Sequence, residues 1–255
     1  MKPHMKEILI SHFDKDVSKS ENIKGIESYG SETNNKYLRA PYEYVERELL
    51  KGLQKKRVLD YCCGSGIYSI LPAKNNANVF GIDFSKKSLD IAKKRAEFFE
   101  IDEMCHFSLG DAENLDFEDN YFDIILSYGS LSYLDLDKSF EELRRVLKPE
   151  GKVIVVDSLG HNPILNFNRK RNIKNYAPEY VDQLQTITHK DLRISLKYFD
   201  SYSIKYFDLF TLFGSLIENK LGYVIKPNSL MNLDRYILKI PLIRQLAFKF
   251  VCVIK

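Results

Sequence analysis

The stretch LDYCCGSG, residues Leu59 to Gly66, predicts an apolar strand that breaks into a glycine turn and opens a helix. Only glycine, or a very small residue, lets the backbone come close to a ligand. In open α/β sheets, ligands bind outside the carboxyl ends of the strands. The turn around Gly64 and Gly66 therefore predicts a ligand site. The dinucleotide fingerprint G-x-G-x-x-G is absent, which argues against an NAD-linked oxidoreductase.

Strands and helices alternate outward from this turn. Such alternation implies right-handed parallel βαβ units and an α/β fold with a doubly wound sheet. We predict strands at Arg57–Cys62, Asn78–Asp83, Cys105–Asp111, Phe122–Ser127, Lys152–Asp157, Ser201–Phe207 and Phe248–Ile254. Predicted helices cover Pro41–Leu53, residues 137–148 and residues 189–199. Gly64–Asn75 is predicted to form a turn followed by a helix. A further helix is predicted to start at Ser85 as its N-cap, and Asp137 is the predicted cap of the helix at 137–148. An irregular apolar insertion is expected between the last two strands.

Three acidic residues lie at the ends of successive predicted strands. Asp60, Asp83 and Asp111 are separated by 23 and 28 residues. An acid after a strand is, taken alone, more often a helix cap than a ligand group. Because the carboxyl ends of parallel strands meet at one sheet edge, the order and spacing of the three predict a shared site.

Several motifs in the segment of about residues 55–160 resemble those of the class I S-adenosylmethionine-dependent methyltransferases. The closest branch is the small-molecule one, with a methyltransferase type 11/25-like domain. LDYCCGSG is similar to the family's LD-x-G-C-G-T-G, with Cys62 in place of the first glycine. GDAENLDF, residues Gly110 to Phe117, is similar to G-D-A-x-x-L-P-F, and LKPEG precedes the fifth strand. The resemblance implies a Rossmann-like, mostly parallel seven-stranded sheet with an antiparallel last strand, an N-terminal helical lid and a C-terminal cap insertion.

The same resemblance implies S-adenosyl-L-methionine as the cofactor. Asp60 would organise the turn and the methionine ammonium, and Asp83 would accept hydrogen bonds from both ribose hydroxyls. Gly64 and Gly66 would admit the cofactor against the main chain. The other implied contacts are Cys62, which would crowd the nearest edge of the cofactor, Phe84 and Asp111 at the adenine, Ala112 through its backbone N–H, and Ser127 beneath the methionine part.

The resemblance does not identify the acceptor, for which we expect a metabolite or a sugar, lipid or quinone-type intermediate. A hydroxyl or carbon acid needs a general base during methyl transfer. His161, just after the fifth strand, is the first candidate, although it could equally bind substrate passively. Tyr128, Asp157 and His189 are weaker candidates. Tyr29 and Tyr37 could belong to a lid that screens the site from water.

The predicted organisation is an N-terminal arm or lid at residues 1–40 and a cofactor-binding domain at residues 41–255. That domain divides into a cofactor core at 55–160 and substrate-cap elements at about 160–245. Within the cap, Arg169–Arg171 could hold an anionic group or be a solvated helix end. The apolar stretches Tyr206–Ile217 and Ile240–Val251 could form an acceptor pocket, core packing or a peripheral membrane contact.

Composition limits the function classes. Residues 1–159 carry 23 Lys and Arg against 28 Asp and Glu, whereas residues 160–255 carry 15 against 7. The net negative charge of residues 1–159 and the lack of an Asn-Pro-Pro-Tyr-type motif argue against a nucleic-acid acceptor. Four cysteines without Cys-x-x-Cys spacing predict no metal site. No apolar run is long enough to span a bilayer, and we expect a cytoplasmic location. A non-catalytic cofactor-binding protein is the alternative to an enzyme.

Overall fold

The computed structural model describes residues 7, 9–11, 14, 26–27, 29–30, 35–174 and 186–255. A seven-stranded sheet with the order β3-β2-β1-β4-β5-β7-β6 forms its centre. The strands are β1 (Arg57–Tyr61), β2 (Asn78–Asp83), β3 (Cys105–Leu109), β4 (Phe122–Tyr128), β5 (Leu147–Ser158), β6 (Tyr202–Phe207) and β7 (Lys249–Ile254). β7 is antiparallel to both of its neighbours, and the other strands run in one direction. The predicted doubly wound sheet with an antiparallel last strand is confirmed.

Helices cover both faces of this sheet. They are α1 (Ala40–Tyr44), α2 (Ile70–Lys74), α3 (Lys86–Phe98), α4 (Leu136–Val146), α5 (Pro163–Lys174), α6 (His189–Leu192), α7 (Phe210–Leu221) and α8 (Pro227–Ile237). Two apolar clusters, one on each face, pack against the buried central strands β1, β4 and β5. The apolar sequence of β4 fits its central position, since strands covered on both faces lack polar alternation. The switch in strand order lies between β1 and β4.

Several predicted boundaries shift for local reasons. The predicted helix Pro41–Leu53 is a short α-helix that continues as one π-helical turn, Val45–Leu49. The cap of α4 is Asp135 and not Asp137, because Asp135 has extended backbone and its carboxylate accepts from the N–H of Asp137 at 3.2 Å. β5 begins at Leu147, which already pairs with Phe122, so LKPEG forms an irregularity within the strand. The predicted cap at Ser85 is confirmed by its hydrogen bond from the Ser88 N–H.

The insertion predicted to be irregular is a helical hairpin instead. Helices α7 and α8 lie between β6 and β7 in the sequence, and they pack against each other. The carboxylate of Asp234 on α8 accepts from the N–H groups of Phe210 at 2.7 Å and of Leu209 and Thr211 at 3.2 Å. An acid from one helix therefore satisfies the free amide groups that begin the other. No pattern of short-range sequence spacing predicts such a long-range cap.

Part of the predicted N-terminal arm lies outside the described residues. Of the described part, the Gly30 N–H donates to the Ile67 carbonyl at 2.9 Å, and Asp14 accepts from the Ser85 hydroxyl at 2.5 Å. These bonds bring Gly30 and Asp14 against the loops that follow β1 and β2. The domain boundary at residue 40 stays a prediction.

Candidate active site

The glycine bend after β1 has an unusual backbone. Cys62, Gly64 and Gly66 all have positive φ angles, of 58°, 52° and 70°. A Cβ at Gly66 would lie 2.9 Å from the Ala92 Cβ, so this glycine allows the bend to pack closely against α3. Glycine tolerates the left-handed conformation, whereas a non-glycine residue there costs about 1 kcal/mol or more. Cys62, the residue that departs from the family motif, is therefore the strained member of the bend.

Asp83 joins the bend to the end of β2. One carboxylate oxygen, Oδ2, accepts from the Gly64 N–H at 2.9 Å, and Oδ1 accepts from the Ser85 N–H at 2.9 Å. Burial raises the pKa of Asp83, and these backbone N–H groups oppose that shift. Each carboxylate oxygen has two lone pairs. The arrangement thus holds the carboxylate in one orientation and leaves it able to accept from further donors.

Asp60 lies at the carboxyl end of β1 with only 2% of its surface exposed. Its Oδ2 accepts from the Ser69 hydroxyl at 2.5 Å. Burial raises the pKa of Asp60 to about 7, with the Ser69 bond opposing the shift. A cationic group beside this carboxylate would favour its charged form and reverse the effect of burial.

Two adjoining cavities lie at this edge of the sheet. The first, of about 310 Å³, is lined by Asp60, Cys62, Gly64, Asp83 and Phe84 together with residues of the loop after β4. The second, of about 290 Å³, is lined by Gly110, Asp111, Ala112 and Glu113 together with Phe84 and Leu134. Phe84 and Leu134 are shared, so the two cavities meet at an apolar boundary. The three strand-end acids predicted to converge do line this pair of cavities.

Two predicted contact residues lie behind the cavity surface. Ser127 is fully buried and its hydroxyl is 2.7 Å from the Ser130 hydroxyl, and it is Ser130 that lines the first cavity. Gly66 packs against Ala92 and Phe107. Their predicted cofactor contacts stay predictions, and the structure gives both residues a supporting position.

An aromatic wall borders the first cavity, and the sequence did not suggest it. The rings of Tyr68 and Tyr128 stack with centroids 3.9 Å apart, and Tyr42 from α1 stacks on both. Burial raises the pKa of Tyr128 well above its ordinary value. Its hydroxyl therefore stays protonated at neutral pH and suits a hydrogen-bond donor better than a base. The only sequence signal for Tyr68 was its place just after the glycine bend.

The predicted base His161 does not line either cavity. Its Nε2 accepts from the His189 N–H at 3.3 Å, and a ring nitrogen of His189 lies 2.8 Å from the Tyr206 hydroxyl. Burial, with the neighbouring His161 as a smaller cause, lowers the pKa of His189. The three residues form a polar cluster beyond the end of β5. The assignment of His161 as the base stays a prediction.

Asp157, at the end of β5, is the more deeply buried candidate. It is 3% exposed, and its Oδ1 accepts from the Ser158 N–H at 2.6 Å. Among the described residues, its Oδ2 has no hydrogen-bond partner. Burial raises its pKa, opposed by Lys249, Arg169 and the backbone N–H of Leu131 in the loop after β4.

The predicted lid tyrosines do not line the first cavity, and the anion-binding role of Arg169–Arg171 stays a prediction. Tyr29 packs edge-on against Phe99, and the buried Tyr37 donates to the Ile225 carbonyl at 2.8 Å, so neither ring lines the first cavity. Arg169 to Arg171 lie on α5. Within the ranges the structure describes, no cluster of His, Cys, Asp and Glu could hold a metal ion. No helix in those same ranges is long and apolar enough to cross a membrane.

Comparisons with known proteins agree with this geometry. Residues 59–155 match the family model described as "Methyltransferase domain". A demethylmenaquinone methyltransferase from Lactobacillus johnsonii is 38% identical over 112 residues, which are 42% of this chain and 46% of that protein. A 2-phytyl-1,4-naphtoquinone methyltransferase from Trichormus variabilis is 36% identical over 132 residues, 49% of this chain and 54% of that protein. The matched segment thus spans about half the length of these curated relatives.

Solved structures share the fold at low identity. A geranyl diphosphate C-methyltransferase from Streptomyces coelicolor A3(2) superposes with a TM-score of 0.62 and 15% identity, covering 100% of this chain and 98% of that chain. A putative sarcosine dimethylglycine methyltransferase from Galdieria sulphuraria gives a TM-score of 0.58 and 16% identity, with 86% of each chain covered. Residues 59–155 are therefore similar to the methyltransferase domain family, and the whole chain shares its fold with these solved structures.

Proposed function

We propose that this protein transfers the methyl group of S-adenosyl-L-methionine to a small-molecule acceptor. The observation that carries the proposal is the pair of cavities that meet at Phe84 and Leu134, with Asp60, Asp83 and Asp111 around them. Their polar groups complement an adenosyl amino acid, which presents an ammonium, two ribose hydroxyls and an adenine in a row. When bound, this cofactor supplies an electrophilic methyl group on a sulfonium.

The proposed cofactor would occupy the two cavities in the order ammonium, ribose and adenine. Asp60 suits the ammonium, because a charged partner favours the ionised form of a buried carboxylate. Asp83 suits the ribose, because its carboxylate is fixed by Gly64 and Ser85 and keeps lone pairs for two hydroxyl donors. Phe84 and Leu134 suit the faces of an adenine, with Asp111 and the Ala112 N–H at its edge.

For the acceptor, we propose a small aromatic molecule of the quinol class. The stacked Tyr68 and Tyr128 give the first cavity an aromatic wall that favours a flat apolar ring. The matched relatives are named as quinone methyltransferases, which supports the same class. The protonated Tyr128 hydroxyl would orient an oxygen of the acceptor. Nucleic acid is not the proposed acceptor, because residues 1–159 are net acidic.

A carbon or hydroxyl acceptor loses a proton when it gains a methyl group, so this proposal includes a base. His161 and Asp157 are the alternatives, and the contacts favour Asp157. The Nε2 lone pair of His161 is used by the His189 N–H. Asp157 also lines neither cavity, but among the described residues its Oδ2 has no hydrogen-bond partner, and it lies by Leu131, next to the cavity-lining Ser130.

Calorimetry with S-adenosylmethionine, S-adenosylhomocysteine and NAD tests the cofactor. The first two should bind and NAD should not. Asp83→Ala should weaken binding by about 1–3 kcal/mol, because it removes charged hydrogen bonds. Asp90→Ala, which removes an exposed acid on α3, is the matched control and should leave affinity unchanged. An unchanged affinity in Asp83→Ala would remove Asp83 from the site, and tight NAD binding would overturn the cofactor proposal.

Labelled-methyl transfer to a 1,4-naphthoquinol with a free ring carbon tests the reaction. Product should form with the wild-type chain, and Asp157→Asn should lower turnover without changing cofactor affinity. His161→Ala in the same assay separates the two candidates: a larger loss there would assign the base to His161. Cofactor binding without transfer to any small acceptor would favour a non-catalytic binding protein.

A further inference from the structure

The tip of the hairpin between α7 and α8 exposes apolar side chains close together. Leu221, Tyr223 and Val224 are 66%, 72% and 66% exposed. Single exposed apolar residues are common on protein surfaces, but a contiguous group usually marks an interaction site. We call residues 220–226 the hairpin tip.

The hairpin tip is held in place by the rest of the fold. Gly222, with φ of 70°, ends α7, and its N–H donates to the Glu218 carbonyl at 3.0 Å. At the other end of the tip, the Tyr37 hydroxyl donates to the Ile225 carbonyl at 2.8 Å. The tight approach of Gly214 to Leu230 locks the two helices together. The apolar exposure is thus a property of a fixed loop.

Positive charge surrounds these apolar side chains. Lys220 and Lys226 are the first and last residues of the tip, and both are exposed. Residues 210–246 contain five Lys and Arg but only two acids. Glu218 pairs with Lys36 at 2.7 Å, and Asp234 is buried beneath the start of α7. Neither acid therefore neutralises the exposed lysines of the tip.

The apolar surface continues along the outer side of α7. Phe213 and Leu216 are 49% and 44% exposed and lie on the same side of the helix as Lys220. The opposite side is buried at Thr211, Gly214 and Ser215. Helix α7 therefore exposes an apolar and basic side to solvent, whereas its opposite side packs against the protein.

From these features we propose that the hairpin tip docks on an anionic phospholipid surface. Apolar side chains flanked by lysines match the boundary between acyl chains and acidic headgroups. A second copy of this chain would bring like charges together, which disfavours self-association through the tip. Docking itself does not depend on the proposed function. Only its benefit to the enzyme rests on that function, since docking would bring the cavities to a membrane that holds a lipid-soluble acceptor.

The absence of tryptophan from the sequence gives a direct probe of docking. Tyr223→Trp places the only indole of the protein at the tip. With vesicles of phosphatidylcholine and phosphatidylserine, its fluorescence should shift to shorter wavelength and be quenched by brominated acyl chains. Phe98→Trp is the matched control, because Phe98 is an exposed apolar residue on α3, and it should show neither change.

Charge variants test the electrostatic part by vesicle sedimentation. Lys220→Ala with Lys226→Ala should weaken binding to the anionic vesicles about tenfold or more, given the usual contribution of each basic residue. Lys93→Ala with Lys94→Ala, an exposed pair on α3, should have no effect. All variants should bind S-adenosylhomocysteine like the wild type, which shows that they are folded and keeps this test separate from methyl transfer.

Three results would overturn the docking proposal. They are no vesicle binding by the wild-type chain, equal binding to pure phosphatidylcholine vesicles, and self-association in sedimentation velocity that Val224→Glu abolishes. The last result would assign the tip to a second copy of the chain.

Discussion

Cys62 combines a strained backbone with a place on the cavity surface. Its φ of 58° lies where glycine is favoured, and its side chain is partly buried against the core. The next residue, Cys63, is 8% exposed and has no positive φ. Two adjacent cysteines thus differ mainly in backbone conformation, which makes them a matched pair.

We expect Cys62→Gly to be more stable than Cys62→Ala by about 1 kcal/mol. Both variants lose the thiol, but only glycine removes the strain of the left-handed conformation. At position 63 the order should be reversed, with Cys63→Ala more stable than Cys63→Gly, because glycine there adds only unfolded-state entropy. Urea unfolding measures all four variants. The same order at both positions would contradict the strain at Cys62.

The raised pKa of Asp60 predicts pH-dependent cofactor binding. Because the Asp60 pKa is about 7, a growing fraction of the free protein carries a protonated carboxyl below that pH. A cationic ammonium prefers the charged form, so binding must then release a proton, and affinity should fall up to tenfold per pH unit below pH 7. Calorimetry with S-adenosylhomocysteine between pH 5.5 and 8 measures this.

Two controls isolate the contribution of Asp60. 5′-Methylthioadenosine keeps the ribose and adenine but lacks the ammonium, so effects of Asp83 appear with both ligands and cancel. Asp60→Asn should remove the difference in pH dependence between them. Parallel pH profiles for the two ligands in the wild-type protein would mean that Asp60 does not face the ammonium.

At the residue scale, the sequence predicts the location of those residues whose place depends only on where a strand ends. Asp60, Asp83, Asp111 and the glycine bend follow from their places at strand ends. The aromatic wall did not follow, because stacking of Tyr42, Tyr68 and Tyr128 joins three elements whose relative positions are set by packing. The two predicted lid tyrosines have other contacts, since Tyr29 packs against Phe99, just after α3, and Tyr37 donates to Ile225 in the hairpin tip.

At the scale of elements, the cap that Asp234 provides for α7 holds the hairpin. We expect Asp234→Ala to lower the free energy of unfolding by about 2–3 kcal/mol, because it leaves buried N–H groups without an acceptor. Asp234→Asn keeps one acceptor oxygen and should cost less. Urea unfolding gives the values, and calorimetry should show unchanged cofactor affinity. Equal losses in both variants would show that charge, and not the acceptor, is what matters.

Element boundaries were predicted less well than element order. Asp135 and Asp137 both precede the same apolar face, and only the extended backbone at Asp135 makes it the cap. The π-helical turn at Val45–Leu49 changes which side chains of that segment face inward, and the spacing of the apolar residues does not predict this turn. Short-range signals fix which element forms, whereas its ends depend on tertiary contacts.

At the scale of the whole molecule, the order of strands and helices up to β5 was predictable because each βαβ unit is local. After residue 160 the two strands were predicted, but the helical hairpin between them was not, because its packing depends on the long-range contacts of α7 with α8. Strand β7 lies between β5 and β6 and pairs with both. The helical hairpin is therefore a connection between two neighbouring strands.

The position of β7 also bears on the order of assembly. Its pairing of Val153 with Ile254 closes a loop of about a hundred residues, and ordering so long a loop is entropically slow. Among β1 to β5 the longest closure is shorter, since β1 pairs with β4 through Val58 and Ile124, which are 66 residues apart. During synthesis, the half that carries the two cavities can thus acquire its shape before β7 is translated, whereas β6 and the hairpin can join the sheet only afterwards.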